Sequence, residues 1–282
     1  MKKLAAAALL AAALAHGQNP LKLVMPETRA VVGVDIARVR STPFGKFLLA
    51  QLSAAKDKEF DEFVKASGFD PSTNLDELLV AWTGGADRRL ILARGRFDPA
   101  RILALARGAG VEIGTYQGIP IIRGPAMSVA FLSSSIGLAG DPASVDGAIG
   151  RRDTGTVPIS EMADRVNVVS EANDFWFVST LPLSDIVSGL LGGAETGEAL
   201  KSVEQASGGA KFGESIQLTA ELKTRSAKDA ANLAAALRAL AGLALKPPLL
   251  DALDLRIDGA VVKLALALTE AQAESLFEQP PK

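Results

Sequence analysis

No cysteine occurs anywhere in this 282-residue chain, and its one histidine is His16. The fold therefore has no disulfides, and it lacks the Cys and His ligands on which structural zinc sites draw. It has to be held by buried apolar surface. The composition suits that demand, with 48% hydrophobic and 22% charged residues, the proportions of a globular domain. A chain this long removes enough surface from water to fold without staples.

The first 17 residues read as a cleaved export leader. Lys2 and Lys3 precede an Ala/Leu run from Leu4 to Ala15, and small residues allow cleavage after Ala15 or after Gly17. The run is shorter than the about 20 apolar residues a membrane helix needs. No other long uncharged apolar run follows it, so no transmembrane segment is expected in the mature chain. The expectation is an exported protein, periplasmic or extracellular. Loss of Lys2 and Lys3 takes 30 basic residues to 28 against 32 acidic ones, a net charge of −4. That balance offers no electrostatic footprint for nucleic acid. His16 would leave with the leader. Ser-His-Asp and Cys-His catalysis, haem and iron–sulfur ligation then lose their side chains.

The remainder reads as a tandem duplication. The first half opens with a strand over Ala30–Ile36, then a helix from Thr42-Pro43 with Phe44, Phe47, Leu48 and Leu52 on one face. A helix around Asp57–Ser67 follows, then a hairpin of Asp76–Thr83 and Arg89–Phe97 turning at Gly84-Gly85-Ala86-Asp87. Asp98-Pro99 caps a helix to Arg107. Four short strands come next (Val111–Tyr116, Ile119–Arg123, Ser128–Leu132, Ile136–Ala139), and Asp141-Pro142 opens a closing helix.

The second half repeats the order. Phe175–Thr180 is a strand, Ser184-Asp185 starts a helix, and Val203–Phe212 with Ser215–Lys223 makes a hairpin. Ser226 caps a long helix ending at Lys246-Pro247-Pro248. Leu253–Ile257 and Val261–Leu268 flank an Asp258-Gly259 turn expected to be type I′, and Thr269 with Gln272 forms a capping box. The expected fold is α+β: two extended ferredoxin-like units, βαββαβ plus a further strand and helix, with antiparallel sheets. The units span 27–150 and 170–279, joined by residues 151–169.

These segments carry a resemblance. "LVMPETRAVVGVDIARVRSTPFGKFL", "GFDPSTNLDELLVAW", "LARGRFDPARI", "YQGIPII" and "GLAGDPASVDGAI" are similar in cadence to a loose group of exported bacterial proteins with duplicated α+β halves and no assigned function. The resemblance implies export and the duplicated fold, and no catalytic residue.

Motifs with chemical meaning are few. Ser53-Ala54-Ala55-Lys56 matches Ser-x-x-Lys, but Ser-Asp-Asn and Lys-Thr-Gly partners do not occur. Asp70 to Asp76 alternates oxygen side chains as a calcium loop does, yet Leu75 stands where glycine is needed and Ala81 where glutamate is. Asp57, Glu59, Asp61 and Glu62 interleave with lysines, as on a solvated helix face. Arg88, Arg89, Arg94 and Arg96 are more unusual. Arg94 and Arg96 fall on one side of a regular strand and suit an anion or acidic partner; arginines that solubilise a strand edge are the commoner case.

The sequence thus points to no catalytic residue, no cofactor and no metal site. Its leading reading is a non-enzymatic envelope protein that binds an unidentified protein or small molecule between its halves. An enzyme using only carboxylates or Ser/Lys, for example a hydrolase, is the alternative, and two acids across a cleft would mark it. An apolar-ligand carrier is a third, and a continuous apolar cavity would mark that.

Overall fold

A computed structural model describes residues 19–54, 58–84, 88–154, 156–181, 200–244 and 249–277. The leader, the helix expected from Ser184-Asp185 and the Lys246-Pro247-Pro248 stop lie outside them.

The first half comprises β1 (Ala30–Asp35), α1 (Ile36–Ser41), α2 (Pro43–Ala54), α3 (Lys58–Ser67), α4 (Pro71–Asn74), β2 (Leu75–Trp82), β3 (Arg89–Gly95), α5 (Pro99–Gly108), β4 (Glu112–Tyr116), β5 (Ile119–Arg123), β6 (Ser128–Phe131), β7 (Ile136–Gly140) and α6 (Pro142–Arg151). The second comprises α7 (Ser160–Ala172), β8 (Phe175–Ser179), β9 (Val203–Lys211), β10 (Ile216–Thr224), α8 (Ala227–Ala244), β11 (Leu253–Asp258), β12 (Val261–Leu268) and α9 (Glu270–Phe277).

The fold is α+β with one twelve-stranded sheet, ordered β11-β12-β10-β9-β8-β1-β2-β3-β7-β6-β5-β4. The two halves share this sheet where two antiparallel sheets were expected. The ferredoxin-like order is also not what forms. A split βαβ unit lodges another strand between β1 and β2, whereas β2 pairs directly with β1, from Ala30↔Trp82 to Asp35↔Glu77. Outward from the seam the strands run β1-β2-β3 and then β7-β6-β5-β4, and on the other side β8-β9-β10 and then β12-β11.

The seam is the antiparallel pair β1–β8, in register from Ala30↔Ser179 to Val34↔Phe175. Backbone bonds extend it at both ends, Thr180 N–H donating to Arg29 C=O and Asp35 N–H to Asp174 C=O, each at 2.7 Å. Around it the sheet's two faces differ. Alternation puts Val31, Gly33, Leu79, Ala81, Leu90, Leu92, Trp176 and Val178 on one face. Except for Gly33 these belong to the largest core, roofed by Leu21 to Met25, by Val145, Ala148 and Ile149 of α6, and by Ile159 with Met162, Val166 and Val169 of α7, which it precedes. Farther out on that face β10–β12 turn polar, with Glu221, Lys263, Asp254 and Arg256.

The opposite face is apolar nearly from edge to edge. One registered row reads Leu266, Leu218, Ala210, Phe175, Val34, Leu78, Ala93, Gly137 and Phe131. The next reads Leu264, Ala220, Gly208, Phe177, Val32, Val80, Ile91, Ala139 and Val129. Leu233 and Ala234 of α8 pack on its second-half end. Phe44 of α2 and Ala273 of α9 pack near its middle.

Local signals place most helices. Asp98 and Asp141 accept the N–H groups of Arg101 and Ser144, and Pro follows each at the first helical position. Ser226 Oγ accepts from Asp229 N–H, and Thr269 and Gln272 close the expected capping box. Asp70 to Asp76 is not a calcium loop: Asp70 Oδ1 caps the single turn α4 by accepting from Ser72 N–H at 2.9 Å. The first strand ends at Asp35, one residue early, because Asp35 Oδ1 accepts Arg38 N–H and starts α1. At the last hairpin Asp258 pairs with Val261, so the turn is Gly259-Ala260 with positive φ at Gly259 only. That is the II′ pattern; Gln117-Gly118, both at positive φ, makes the type I′ turn of the equivalent first-half hairpin.

Gly33 leaves no room for a side chain at the seam. A Cβ there would stand 2.2 Å from the Trp176 indole, which fills the space above the seam and is buried. Gly33→Ala should therefore lower unfolding stability by about 1–3 kcal/mol through overpacking. Chemical denaturation followed by tryptophan fluorescence reads this, and a stability equal to wild type would contradict it.

Candidate functional site

On the apolar face, under α1, α2 and α9 and across the seam, lies a cavity of about 470 Å³. Val34, Leu78, Phe175, Ala210 and Leu218 form its floor, and Ile36, Val39, Phe44, Leu48 and Ala273 its roof. Each side chain has a local reason for its position. The Asp35 cap turns the chain from β1 into α1, which swings Ile36 and Val39 over the strand they follow. The Thr42 hydroxyl accepts Gly45 N–H at 3.1 Å and starts α2, aiming Phe44 and Leu48 at the sheet. Phe44 closes one wall, 5.9 Å from the Phe47 ring and 5.7 Å from Phe212. Phe175 is 37% exposed and marks the mouth.

Among the described residues no polar side chain lines this cavity. Its size makes emptiness costly: sealed, it would forfeit about 11 kcal/mol at about 24 cal/mol per Å³, comparable with a whole domain's stability. The opening at Phe175 lowers that figure. Solvent entering there still meets walls with no hydrogen-bond partner, and apolar cavities stay dry.

A second apolar cavity, about 330 Å³, lies on the same face beneath α5. Ile91, Ala93, Ile122, Val129 and Phe131 line it with Phe69, Phe97 and Ile102. The Phe97 ring stacks on Phe69 at 5.3 Å and tilts against Phe131 at 5.4 Å. Beside it a larger, mixed hollow of about 660 Å³ is lined by Val80, Ile91, Pro125, Met127, Arg89 and Asp141. On the opposite face a hollow of about 550 Å³ is lined by Thr28, Glu204, Gln205 and Lys223 between Pro26 and Pro158. Among the described residues each of these two mixed hollows is lined by one carboxyl, Asp141 and Glu204 respectively.

The arginines expected to bind an anion are found beside acids. Arg94 lies 3.3 Å from Glu77 and Arg96 3.7 Å from Asp76, and Arg96 also donates to Thr73 C=O. Arg88 lies 3.8 Å from Glu27. Of the acidic run, Glu62 is exposed, while Asp57 and the side chains of Glu59 and Asp61 lie outside the described residues, as do the Ser53 side chain and Lys56.

Among the described residues no three His, Cys, Asp or Glu side chains gather as a metal site would. Asp141 is the carboxyl on a cavity wall whose acidity is displaced. Burial pushes its pKa up, but hydrogen bonds from Ser144 and Arg89 and the charge of Arg88 outweigh that and hold it below the ordinary value. Burial depresses the Arg151 guanidinium, which donates to Leu23 C=O at 2.9 Å and pins the amino-terminal segment to α6. Asp258 and Lys263 shift in opposite directions through their hydrogen bond at an exposed hairpin. Cavities spread over residues 34 to 273 carry no sequence motif, which is why they could not be read from the chain.

Neither a protein-family model nor a curated protein matches this sequence. Solved structures do match. Crystal form III of TP0453 superposes with a TM-score of 0.62 at 10% identity, covering 93% of this chain and 98% of that one. Crystal form I gives 0.55 at 9% identity, covering 92% and 96%, and crystal form IV 0.54 at 9%, covering 93% and 97%. At such identity the likeness is one of fold alone.

Asp141 joins α6 to the wall of the mixed hollow, so its removal tests that corner. Asp141→Ala should cost about 1–2 kcal/mol at neutral pH by loss of the cap. Because the folded pKa is lowered, the contribution is present above the unfolded value and lost as pH falls through the folded one. The wild-type advantage should stay level from about pH 5 to 8 and shrink below about pH 4. Denaturation across pH reads it, and an advantage that persisted undiminished at low pH would contradict the assignment.

Proposed function

We propose that this chain is an exported, non-enzymatic binding protein that holds the apolar part of a small ligand in the cavity across its seam. The observation that carries the reading is the wall of that cavity, apolar at every described residue and open at Phe175. Such a space favours ligands by desolvation and offers no group for acid–base chemistry. About twelve buried methylenes supply about 10 kcal/mol at about 0.8 each, and association costs at least about 4. The net gain is then at most about 6 kcal/mol, an affinity of roughly tens of micromolar at best.

Export rests on the Lys2-Lys3 leader and its small-residue boundary. The matched strand orders on the two sides of β1–β8 support descent from one duplicated unit, to which the first half has added β6 and β7. The ligand cavity then sits where the two copies meet, its floor drawn from β1 and β2 of one and β8 to β10 of the other.

The mature chain should bind the uncharged fluorophore N-phenyl-1-naphthylamine with enhanced, blue-shifted emission. Ala273→Phe or Ala210→Leu should weaken that binding at least tenfold, with a cooperative melt confirming that each variant folds. Folded variants that bind the dye as wild type does, or a wild type that does not bind it, would reject the reading.

A further inference from the structure

Three hollows converge on four side chains of the β2–β3 pair. Leu78 lines the cavity across the seam, Val80 the mixed hollow, Ala93 the cavity beneath α5, and Ile91 both of the last two. Leu78 pairs with Ala93 and Val80 with Ile91, so the four stand in two adjacent rows on the apolar face. Successive same-face positions on a strand lie about 6.6 Å apart, a short step for a flexible chain. Arg89 stands two residues before Ile91, on the same face and at the polar end of this tract.

Arg89 also differs from the other members of its basic set. Arg88, Arg94 and Arg96 each have a carboxylate within 4 Å, whereas no ion pair is found for the Arg89 guanidinium among the described residues. Asp141 shares the hollow, but its oxygens are engaged by backbone: Oδ1 accepts Ser144 N–H and Oδ2 accepts Arg89 N–H, both at 3.0 Å. A planar, permanently charged fork at the rim of an apolar tract fits a carboxylate or phosphate head attached to a hydrocarbon chain.

We infer that the ligand is an anionic amphiphile, with its headgroup on Arg89 and its chain passing over Val80 and Ile91 into the apolar cavities. This rests on the apolar-ligand reading and adds the charge of the headgroup and its site. A free fatty acid and an anionic phospholipid share this chemistry.

The test displaces N-phenyl-1-naphthylamine from the mature chain at about pH 8 with palmitate and with hexadecanol, which share a chain length and differ in the charge of the head. Palmitate should bind about tenfold tighter to wild type. Arg89→Gln should bring the ratio of the two affinities close to one, and Arg89→Lys should restore part of it. Thermal melts confirm that the variants fold. Displacement by phosphatidylglycerol vesicles but not by palmitate would identify a membrane lipid as the source, and the reverse a free acid; either supports the inference. Equal affinities for palmitate and hexadecanol in wild type, or a ratio unchanged in folded Arg89→Gln, would overturn the headgroup site while leaving the cavity reading intact. A wild type that binds no dye, alcohol or acid would overturn both.

Discussion

Everything in this molecule is hung from the pairing of β1 with β8. It converts two five- to seven-stranded arrays into one sheet and fixes which residues face each other across the halves. Because a register slip of one residue would exchange the two faces, the seam also decides which side of the whole sheet is apolar. Gly33 against Trp176 holds that register sterically on one face, while Val34 beside Phe175 floors the apolar cavity on the other. Arg38 reinforces the junction from outside the sheet: its guanidinium sits 2.6 Å from Asp35 and 3.4 Å from the buried Asp174, and donates to the carbonyls of Ser170 in α7 and of Asn173 just beyond it. Asp174 in turn accepts Phe212 N–H at 2.8 Å, which ties β9 to the same point.

The two faces use apolar surface differently. On the Trp176 face, the amino-terminal segment, α6 and α7 bury side chains such as Val31, Leu90 and Leu138 almost completely. On the Phe175 face, many equally apolar side chains are only half buried, because the helices above stand off the sheet and leave the cavities. A protein that needed only stability would close that gap, since each unfilled volume costs packing energy. Burial on the first face supplies the packing that the half-open second face lacks.

Much of this was legible because it is local. Asp-Pro and Ser caps, the capping box and the strand alternation depend on residues within a turn of one another, and Asp98, Asp141, Ser226 and Thr269 act as their spacing implies. The strand order was not legible: whether β2 lies beside β1 or one place away depends on contacts far apart in sequence. Leu21 to Met25 went unread because five residues carry no measurable periodicity, although all but Lys22 are buried. Alternation placed Arg94 and Arg96 on a common side, but nothing in it announces that Glu77 and Asp76 wait beside them. Arg89 was in view as one of four arginines. Only the folded sheet shows that its face leads to open apolar space.

The central claim is that the Phe175 face of the sheet receives a hydrocarbon chain while the Trp176 face remains closed. Methyl-resolved NMR with 16-doxyl stearate tests it directly, because the spin label broadens most strongly the methyl groups near the chain end. The account predicts selective broadening at Leu78, Ala93, Ala210 and Leu218, with Leu79, Leu90 and Val178 on the other face much less affected. Broadening confined to exposed methyls such as Val168, or centred on the Trp176 face, would contradict it.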